Sequence, residues 1–340
     1  MQKYPSKSNS LPVHCRRTLS GLLGIICVVL LLLMLPGCGR KTKPEPPPAS
    51  EQESSQSGDV DRTCQVNVGG VDRTYRVHIP PSYEGGTPIP LIVAFHGGGG
   101  TGEGMERLTH MNDISDSGGF IAVYPDGVNK NWNDGRPQIN PDVDDVAFVR
   151  SMLERLESDY SIDTKRVYAT GISNGGFMSY RLAFDLDGTF AAIAPVGALM
   201  TEQLYARPPP AGPVSVLLIE GIDDPFVPWA GGDISTGRLK RGTVVSTGVT
   251  IDYWVKAGGC VTPPAVTEMT DAEPDDGTRV REELYSGGRE GTEVELLAVE
   301  GGGHTWPGGL QYLRERTIGK TCRDIDASRV IWDFFKGHSK

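Results

Sequence analysis

Residues 167–183 of this 340-residue chain read VYATGISNGGFMSYRLA, and this stretch decides the fold. Its first four residues form a short apolar run that predicts a buried strand, and a helix is predicted from Gly175 to Ala183. Between them, Gly171-Ile172-Ser173-Asn174-Gly175 matches the pattern G-x-S-x-G, in which small residues allow a sharp strand-to-helix turn that exposes the serine hydroxyl. The pattern alone is weak in a chain with 44 glycines, but its position between a strand and a helix makes Ser173 a candidate nucleophile.

Apolar runs on both sides of this stretch predict further strands. The candidates are Leu91–Phe95, Phe120–Tyr124, Val167–Thr170, Ala191–Pro195, Val214–Ile219 and Val294–Glu300. Helical spacing of apolar residues follows over 149–160, where Asp144 or Asp145 is placed as the N-cap, and again over Ala327–Phe335. Nearly continuous apolar strands that alternate with helices predict an α/β fold in which a mostly parallel central sheet carries helices on both faces. One domain is expected over residues 61–340.

A serine nucleophile needs a base, and the base needs an acid to orient it. In sheets of this kind such groups lie on loops at the carboxyl ends of strands. Of the six histidines, only His304 follows a late strand, in a glycine-rich loop. The acid is expected after the strand 214–219, where Asp223 and Asp224 are both candidates and either can also form a turn before Pro225.

The glycine run at residues 97–100 follows the first buried strand, where an oxyanion-binding loop is expected. We predict that the backbone N–H groups of Gly98 and Asn174 form the oxyanion hole, and that His96 braces the loop by hydrogen bonding. Residues 97–102 also fit the dinucleotide pattern G-x-G-x-x-G, which arises almost automatically in a glycine run, whereas Glu103 stands where a P-loop requires lysine. The acidic clusters 142–145 and 271–276 do not have EF-hand spacing and are expected to form solvated loops and a helix cap, so no metal site is predicted.

The first 60 residues read as an export signal and a tether. Four positive charges precede the apolar stretch LLGIICVVLLLLML, which ends at Leu35 and is short for a membrane span. The following Pro36-Gly37-Cys38 resembles a bacterial lipobox, so residues 1–37 are predicted to be a lipoprotein signal peptide and Cys38 the lipidated residue. Residues 38–60 are rich in Pro, Ser and Glu and predict a tether. An ordinary cleaved signal, an anchor helix and the twin-arginine route through Arg16-Arg17 are the alternatives.

Charge and cysteine content exclude other classes of protein. The formal net charge of −10 argues against a nucleic-acid binder, which requires a basic face. Beyond Cys38, the sequence contains Cys64, Cys260 and Cys322, an odd number that allows one disulfide and one free thiol without indicating the pair. No C-x-x-C motif supports a zinc or thioredoxin-like site.

With these residues in view, the chain resembles the polyhydroxybutyrate depolymerase and feruloyl/acetylxylan esterase-like family of α/β-hydrolases, which includes bacterial esterase lipoproteins. The resemblance covers about residues 65–337 and rests on seven motifs in order. They are FHGGGG (95–100), YPDG (124–127) with Trp132-Asn133, DVDDVAF (142–148), GISNGGFMSYRLA (171–183), DDPFVPW (223–229), GGGHTWPGG (301–309) and DIDASRVIWDFF (324–335). It implies Ser173 as nucleophile, Asp224 as acid and His304 as base, with Trp132 and Trp306 as walls of the substrate cleft.

The sequence departs from the family pattern at three places. Gly98 stands where relatives often have cysteine, and Glu220 stands where many have histidine. A second cysteine near Gly287-Gly288 is missing, so the resemblance leaves Cys322 or Cys64 as the partner of Cys260.

The expected function is that of an exported, membrane-tethered serine esterase that needs neither metal nor organic cofactor. Feruloyl or acetyl esters of polysaccharides, hydroxyalkanoate oligomers and short-chain esters are the candidate substrates, and no nucleic-acid partner is expected. A serine peptidase on the same fold and a catalytically inactive surface binding lipoprotein are the alternatives.

Overall fold

The computed structural model describes residues 61–236 and 239–340. The predicted signal peptide, the lipidated Cys38 and the tether lie outside the described residues. Within the described residues, no helix combines the length and the apolar character needed to cross a membrane.

Twelve strands and eight α-helices make up the described part of the chain. The strands are β1 Asp61–Val68, β2 Val71–His78, β3 Ile89–Phe95, β4 Ile121–Pro125, β5 Ile162–Ile172, β6 Ala192–Val196, β7 Ser215–Gly221, β8 Gly232–Thr236, β9 Leu239–Val244, β10 Ala265–Glu268, β11 Arg279–Tyr285 and β12 Val294–Glu300. The helices are α1 Gly102–Thr109, α2 Met111–Gly118, α3 Asp145–Asp159, α4 Asn174–Asp185, α5 Glu202–Tyr205, α6 Thr247–Gly258, α7 Glu315–Ile318 and α8 Ala327–Phe335. Short 3₁₀ turns occur at Val128–Lys130 and Arg289–Gly291.

Ten strands form one sheet in the order β1-β2-β4-β3-β5-β6-β7-β12-β11-β10. The six strands from β4 to β12 in this order run parallel to one another. The antiparallel pair β1–β2 joins β4 at one edge, and β11 and β10 add antiparallel strands at the other. This mostly parallel sheet confirms the predicted α/β-hydrolase architecture, and all six predicted strands are present.

Apolar cores cover both faces of the sheet because alternate residues of each central strand point to opposite sides. Leu91, Val93 and Phe95 of β3 pack in the core on the face that carries α3, α4 and α6. Ile92 and Ala94 of the same strand pack in the second core, on the face that carries α1, α2 and α8. The strands buried on both faces bring their carboxyl ends to one edge, where the loops that contain the candidate site residues meet.

Of the two aspartates proposed as the N-cap of the helix over 149–160, the first is the cap and the second has a different role. Asp144 is the N-cap of α3, and its side chain accepts a hydrogen bond from the backbone N–H of Ala147 at 2.9 Å. Asp145, in the cluster that was expected to be solvated, is buried and pairs with the buried Arg73 at 2.6 Å. One aspartate of the cluster is therefore an internal anchor.

The expectation of a disulfide is wrong, since Cys64, Cys260 and Cys322 are all free thiols. Cys64 lies on the edge strand β1 and packs against the core that contains α3, whereas Cys322 is buried in the core on the opposite face of the sheet. Cys260 follows α6, which packs on β7 and β12 across the sheet from β1. Cys322 is thus on the opposite face of the sheet from the other two thiols, and Cys64 and Cys260 lie on the same face but near different parts of the sheet.

Candidate active site

Ser173 lies at the turn between β5 and α4 in a backbone conformation that is rare for a residue with a side chain. Its φ is 55° and its ψ is −121°. The turn is fixed on both sides, because the Ser173 N–H donates to the carbonyl of Val196 and the Ser173 carbonyl accepts from the N–H of Phe177, both at 2.9 Å. Strain that is held in this way by the surrounding structure is typical of functional positions.

The glycines of the pentapeptide allow the turn to approach β3 closely. A Cβ atom at Gly175 would lie 2.1 Å from the carbonyl oxygen of Phe95, and one at Gly171 would lie 2.6 Å from the same atom. Both distances are far below any real contact, so α4 can begin directly against the end of β3 only if these positions lack side chains. The G-x-S-x-G spacing thus joins the Ser173 turn to the loop that follows β3.

His304 and Asp224 form a buried pair. The Nδ1 atom of His304 lies 2.6 Å from Oδ2 of Asp224, and both side chains are almost completely shielded from solvent. The second carboxylate oxygen of Asp224 accepts hydrogen bonds from the backbone N–H groups of Phe226 at 2.7 Å and Val227 at 2.9 Å. Of the two aspartates proposed from the sequence, Asp223 is exposed and contributes only its backbone N–H, bonded to the carbonyl of Gly302.

The His304 ring is held by contacts beyond the carboxylate. The backbone N–H of His304 donates to the carbonyl of Ile318 at 2.6 Å, and the backbone carbonyl of His304 accepts from the hydroxyl of Tyr312 at 2.7 Å. The ring of Phe226 packs edge-on against the imidazole with centroids 5.1 Å apart. Gly197, at the end of β6, allows this placement, since a Cβ there would lie 3.1 Å from Nδ1 of His304.

The two predicted oxyanion donors lie on adjacent loops. A Cβ built on Gly98 would lie 3.8 Å from the Cβ of Asn174, so the loop after β3 and the start of α4 are in contact. As the first residue of α4, Asn174 has a backbone N–H without an intrahelical acceptor. The loop is shaped by hydrogen bonds from Gly99 N–H to the Lys130 carbonyl at 2.7 Å and from Gly100 N–H to the Gly97 carbonyl at 2.9 Å.

His96 braces this loop in its neutral form. Its Nε2 atom accepts a hydrogen bond from the backbone N–H of Gly127 at 3.0 Å, so the ring proton must lie on Nδ1, which is 2.8 Å from the carbonyl of Gly97. Burial lowers the pKa of His96 and favours the same uncharged state. The ring therefore supports the glycine loop and has no nitrogen available as a base.

Sequence reasoning missed a buried polar network behind the Ser173 turn. The Asn174 side chain accepts from the N–H of Trp132 at 2.7 Å and donates to Asp134 at 2.6 Å. Asp134 forms a buried ion pair with Arg136, whose guanidinium also stacks on Phe177 at 4.1 Å. The WN motif at 132–133 and the pentapeptide were recognisable in the sequence, but only the folded chain reveals that they bind each other.

Ser173 and His304 line one cavity of about 660 Å³ together with the glycine loop. Apolar side chains form much of its wall, among them Met105, Leu108, Phe226, Ile234, Leu310 and Leu313. Arg107, Arg136 and Arg241 also line it. The cavity is large enough for a small organic ligand.

The placement of Trp132 and Trp306 corrects their predicted role as walls of the cleft. Both side chains are fully buried, and neither lines the cavity. The indole N–H of Trp132 donates to the carbonyl of His96 at 2.9 Å, and that of Trp306 donates to the Ser328 hydroxyl at 3.1 Å. Both rings are thus core residues whose indole N–H groups have acceptors, as is usual for buried tryptophan.

Glu220, one of the departures from the family pattern, is a buried acid near the His304–Asp224 pair. It is completely buried near the end of β7, and neither of its carboxylate oxygens has a hydrogen-bond partner. Burial, reinforced by the charge of Asp224, raises the pKa of Glu220 well above its ordinary value. The environment of Glu220 therefore favours its protonated form.

Glu220→Gln is expected to flatten the pH dependence of stability. A glutamate in the unfolded chain loses its proton near pH ~4.3, whereas Glu220 in the folded chain keeps it to a higher pH. Between these two pKa values unfolding releases a proton, so the free energy of unfolding falls by about 1.4 kcal/mol per pH unit as pH rises. Urea denaturation from pH 4 to pH 8 should show a shallower decline for the variant, whereas Glu300→Gln at the exposed end of β12 should follow the wild type. Parallel declines for Glu220→Gln and wild type would contradict the assignment.

A possible metal-ligand cluster among the described residues lies outside the cavity wall. Asp276, Cys322 and Asp324 bring one ligand atom each within 4.8 Å of one another. Their oxygens already have protein partners: Asp276 accepts from the N–H groups of Arg323 and Thr278, and Asp324 accepts from that of Glu273. The cluster is explained by loop hydrogen bonding.

Comparison with known proteins relates the chain to esterases. It is 34% identical over 291 residues to "Putative esterase NocK" of Nocardia uniformis subsp. tsuyamanensis, which covers 80% of this chain and 82% of that protein. It is 27% identical to feruloyl esterase D of Neurospora crassa over 81% of this chain and 85% of the relative. The solved structure of an acetyl xylan esterase from Aspergillus awamori covers 72% of this chain and 94% of its own with a TM-score of 0.51 and 16% identity, which supports the fold. No family model matches the sequence.

The chain is similar in sequence to an esterase over four-fifths of its length. It also has the α/β-hydrolase sheet, together with a strained serine turn and a buried histidine–aspartate pair. The chain belongs to the feruloyl/acetylxylan esterase-like family of α/β-hydrolases, whose members are carboxylic ester hydrolases.

Proposed function

We propose that this protein is a serine esterase in which Ser173, His304 and Asp224 act as nucleophile, base and orienting acid. The observation that carries the proposal is the 2.6 Å contact between His304 Nδ1 and Asp224 Oδ2 in the cavity that Ser173 also lines. With Nδ1 directed at the carboxylate, Nε2 is the ring nitrogen left to take a proton from the serine hydroxyl.

The proposed reaction proceeds through an acyl-enzyme. The Ser173 oxygen attacks the ester carbonyl while its proton passes to His304, and collapse of the tetrahedral intermediate expels the alcohol, which takes that proton. A water molecule then attacks the acyl carbonyl and gives a proton to His304. Collapse of this second tetrahedral intermediate breaks the bond to the Ser173 oxygen, which takes the proton back from His304, and the carboxylic acid is released. Asp224 stabilises the imidazolium that forms in each half-reaction.

The negative charge on the carbonyl oxygen is assigned to the N–H groups of Gly98 and Asn174. Each such donor is typically worth about 3 kcal/mol in the transition state. The His96 hydrogen bonds hold the loop that contains Gly98, and the side-chain hydrogen bonds of Asn174 hold the start of α4. Because both donors belong to backbone held in place before substrate binds, little reorganisation is required during the reaction.

The candidate substrates are feruloyl or acetyl esters of polysaccharides, hydroxyalkanoate oligomers and short-chain esters. Turnover of ethyl ferulate, acetylated xylan, hydroxybutyrate oligomers and nitrophenyl esters of increasing length distinguishes them, and a nitroanilide with the same acyl group tests peptidase activity. Covalent labelling of Ser173 by a fluorophosphonate, located by peptide mass spectrometry, is expected. Absence of both labelling and ester turnover would overturn the proposal in favour of an inactive binding protein.

We also propose that the chain is exported and anchored through lipid on Cys38. The support is the charged start, the apolar stretch that ends at Leu35 and the cysteine that follows it. Cells fed radiolabelled palmitate should label the wild type and not Cys38→Ala. Equal labelling of both proteins would refute lipidation at Cys38.

A further inference from the structure

Tyr312 connects the cavity with the proposed base. Its side chain lines the cavity that Ser173 also lines, and its hydroxyl donates to the backbone carbonyl of His304 at 2.7 Å. The residue is 42% exposed, whereas burial raises the pKa of its hydroxyl well above the ordinary value. The side chain therefore extends from the surface of the protein to the interior beside His304.

The Tyr312 hydroxyl must keep its proton to make this contact. A carbonyl oxygen can only accept a hydrogen bond, so the phenol has to be the donor. Burial and the nearby charge of Asp224 both favour the protonated form of the phenol. The hydrogen bond to His304 therefore persists from neutral to moderately alkaline pH.

The rim segment, residues 310–320, binds the His304 backbone on both sides of its Cα atom. The N–H of His304 donates to the carbonyl of Ile318 at 2.6 Å, and its carbonyl accepts from the Tyr312 hydroxyl. Each of these bonds holds one of the two planar peptide groups that meet at the His304 Cα atom. The direction of the Cα–Cβ bond, and with it the position of the imidazole, therefore depends on both contacts.

Gln311 fixes the part of the rim segment that carries Tyr312. Its side-chain amide donates to the carbonyls of Leu313 at 2.9 Å and Gly319 at 3.0 Å. Its side-chain oxygen accepts from the backbone N–H of Thr321 at 3.0 Å and from the hydroxyl of the same residue at 2.6 Å. The amide thus uses both of its donors and both of its lone pairs within the protein. Tyr312 is held in place by its neighbour before any substrate binds.

We propose that Tyr312 is a positioning residue for the esterase reaction, whose hydroxyl holds the His304 backbone so that the imidazole stays aligned with Ser173 for proton transfer. The inference rests on the proposed serine-esterase function. Asp224 and Phe226 contact the ring itself, whereas Tyr312 acts on the backbone that carries the ring. A displacement of about 1 Å at a reacting group can cost ~10²-fold in rate, so a backbone contact of this kind matters for catalysis.

Tyr312→Phe removes the hydroxyl and keeps the ring in the cavity wall. For nitrophenyl butyrate, kcat per active site should fall about tenfold, because the imidazole is less well aligned. Titration of active sites with a fluorophosphonate excludes unfolded protein from the count. KM should stay within about twofold of wild type. His304 acts in both acylation and deacylation, so both steps slow together and the ratio that enters KM is preserved.

A double-mutant cycle with Asp224→Asn separates positioning from a general structural role. In the Asp224→Asn background the imidazole already lacks its orienting carboxylate, so Tyr312→Phe should lower kcat by less than about twofold. Groups that act as a unit show this lack of additivity. A loss that came only from a looser structure would have the same size in both backgrounds.

Tyr83→Phe is the matched control. The Tyr83 hydroxyl accepts from the backbone N–H of Ser161 at 2.7 Å, and Tyr83 does not line the cavity. The control therefore loses an equally short bond between a phenol and the backbone, away from the proposed site. Its kcat and KM should match those of the wild type, and thermal unfolding curves compare the stability of both variants.

Three results would overturn the inference. One is a kcat per active site in Tyr312→Phe within twofold of wild type. Another is a rise in KM at constant kcat, which would make Tyr312 a substrate-binding residue only, and the third is an equal loss in the wild-type and Asp224→Asn backgrounds. Wild-type turnover in any of these cases leaves the serine-esterase function standing. If the wild type shows neither ester turnover nor fluorophosphonate labelling, the proposed function fails and this inference fails with it.

Discussion

Ser173→Ala is expected to lower kcat/KM for nitrophenyl butyrate by about 10⁴-fold or more without unfolding the protein. The variant loses the hydroxyl that we propose forms the acyl-enzyme, while the proposed oxyanion donors and the cavity remain. Alanine keeps the backbone hydrogen bonds of residue 173 to Val196 and Phe177, so the turn itself should persist. Initial rates measured beside thermal unfolding curves separate loss of chemistry from loss of structure.

Ser179→Ala provides the matched control on the same helix. Its hydroxyl is buried and donates to the carbonyl of Gly175 at 3.1 Å, within α4 and away from the cavity wall. The control should retain activity within a few-fold of wild type. Hydrolysis by Ser173→Ala above about 1% of the wild-type rate, in protein free of wild-type contamination, would remove Ser173 from the proposed mechanism.

Asp224→Asn should reduce kcat by about 10³- to 10⁴-fold. The carboxylate at 2.6 Å from Nδ1 of His304 favours the tautomer that carries its proton there and leaves Nε2 free to accept one. An amide at the same position can donate to Nδ1, which favours a proton on Nε2 and blocks transfer from the serine. It also removes the charge that stabilises the imidazolium. Steady-state rates from pH 6 to pH 10 measure the loss.

Asp223→Asn removes the same charge one residue earlier. Asp223 is exposed, and its described contact is a backbone hydrogen bond that the substitution preserves. We therefore expect activity close to wild type. Equal losses in the two variants, or a larger loss at Asp223, would contradict the assignment of Asp224 as the orienting acid.

The fold was predictable from the sequence because its central strands are buried on both faces. Such strands are nearly continuous apolar runs, and those over 91–95 and 294–300 were identified within two residues of their observed ends. The pairs β8–β9 and β10–β11 were not predicted, since segments such as LKRGTV in β9 are short, polar and half exposed. Edge strands and hairpins owe their conformation to tertiary contacts that local apolar spacing does not encode.

Features of the cavity that depend on local sequence could likewise be predicted, whereas those that depend on tertiary contacts could not. Residues placed by local turn chemistry, such as Ser173 and the glycine loop, could be proposed from short motifs. Trp132 and Trp306 could not be assigned correctly, because motif position does not tell whether a ring points into the cleft or away from it. The contact of Arg136 with the Arg241 backbone joins segments 105 residues apart, and it depends on how β9 packs. Recognition of such pairs requires the folded chain.

The two sides of the cavity are attached to the fold in different ways. The serine turn is joined to the central sheet, because Gly175 contacts the end of β3. Other parts of the cavity wall lie outside that sheet: Ile234 and Arg241 belong to the two-stranded hairpin β8–β9, and Leu310 and Leu313 belong to a loop.

Leu310 and Leu313 are about half exposed, whereas Ile234 and Val244 of the hairpin are part of the main apolar core. Substitutions at the two leucines can therefore alter which ester fits while that core is left unchanged. Within the loop over residues 310–313, the two leucines are therefore the positions to randomise when the substrate range of the protein is to be changed by directed evolution.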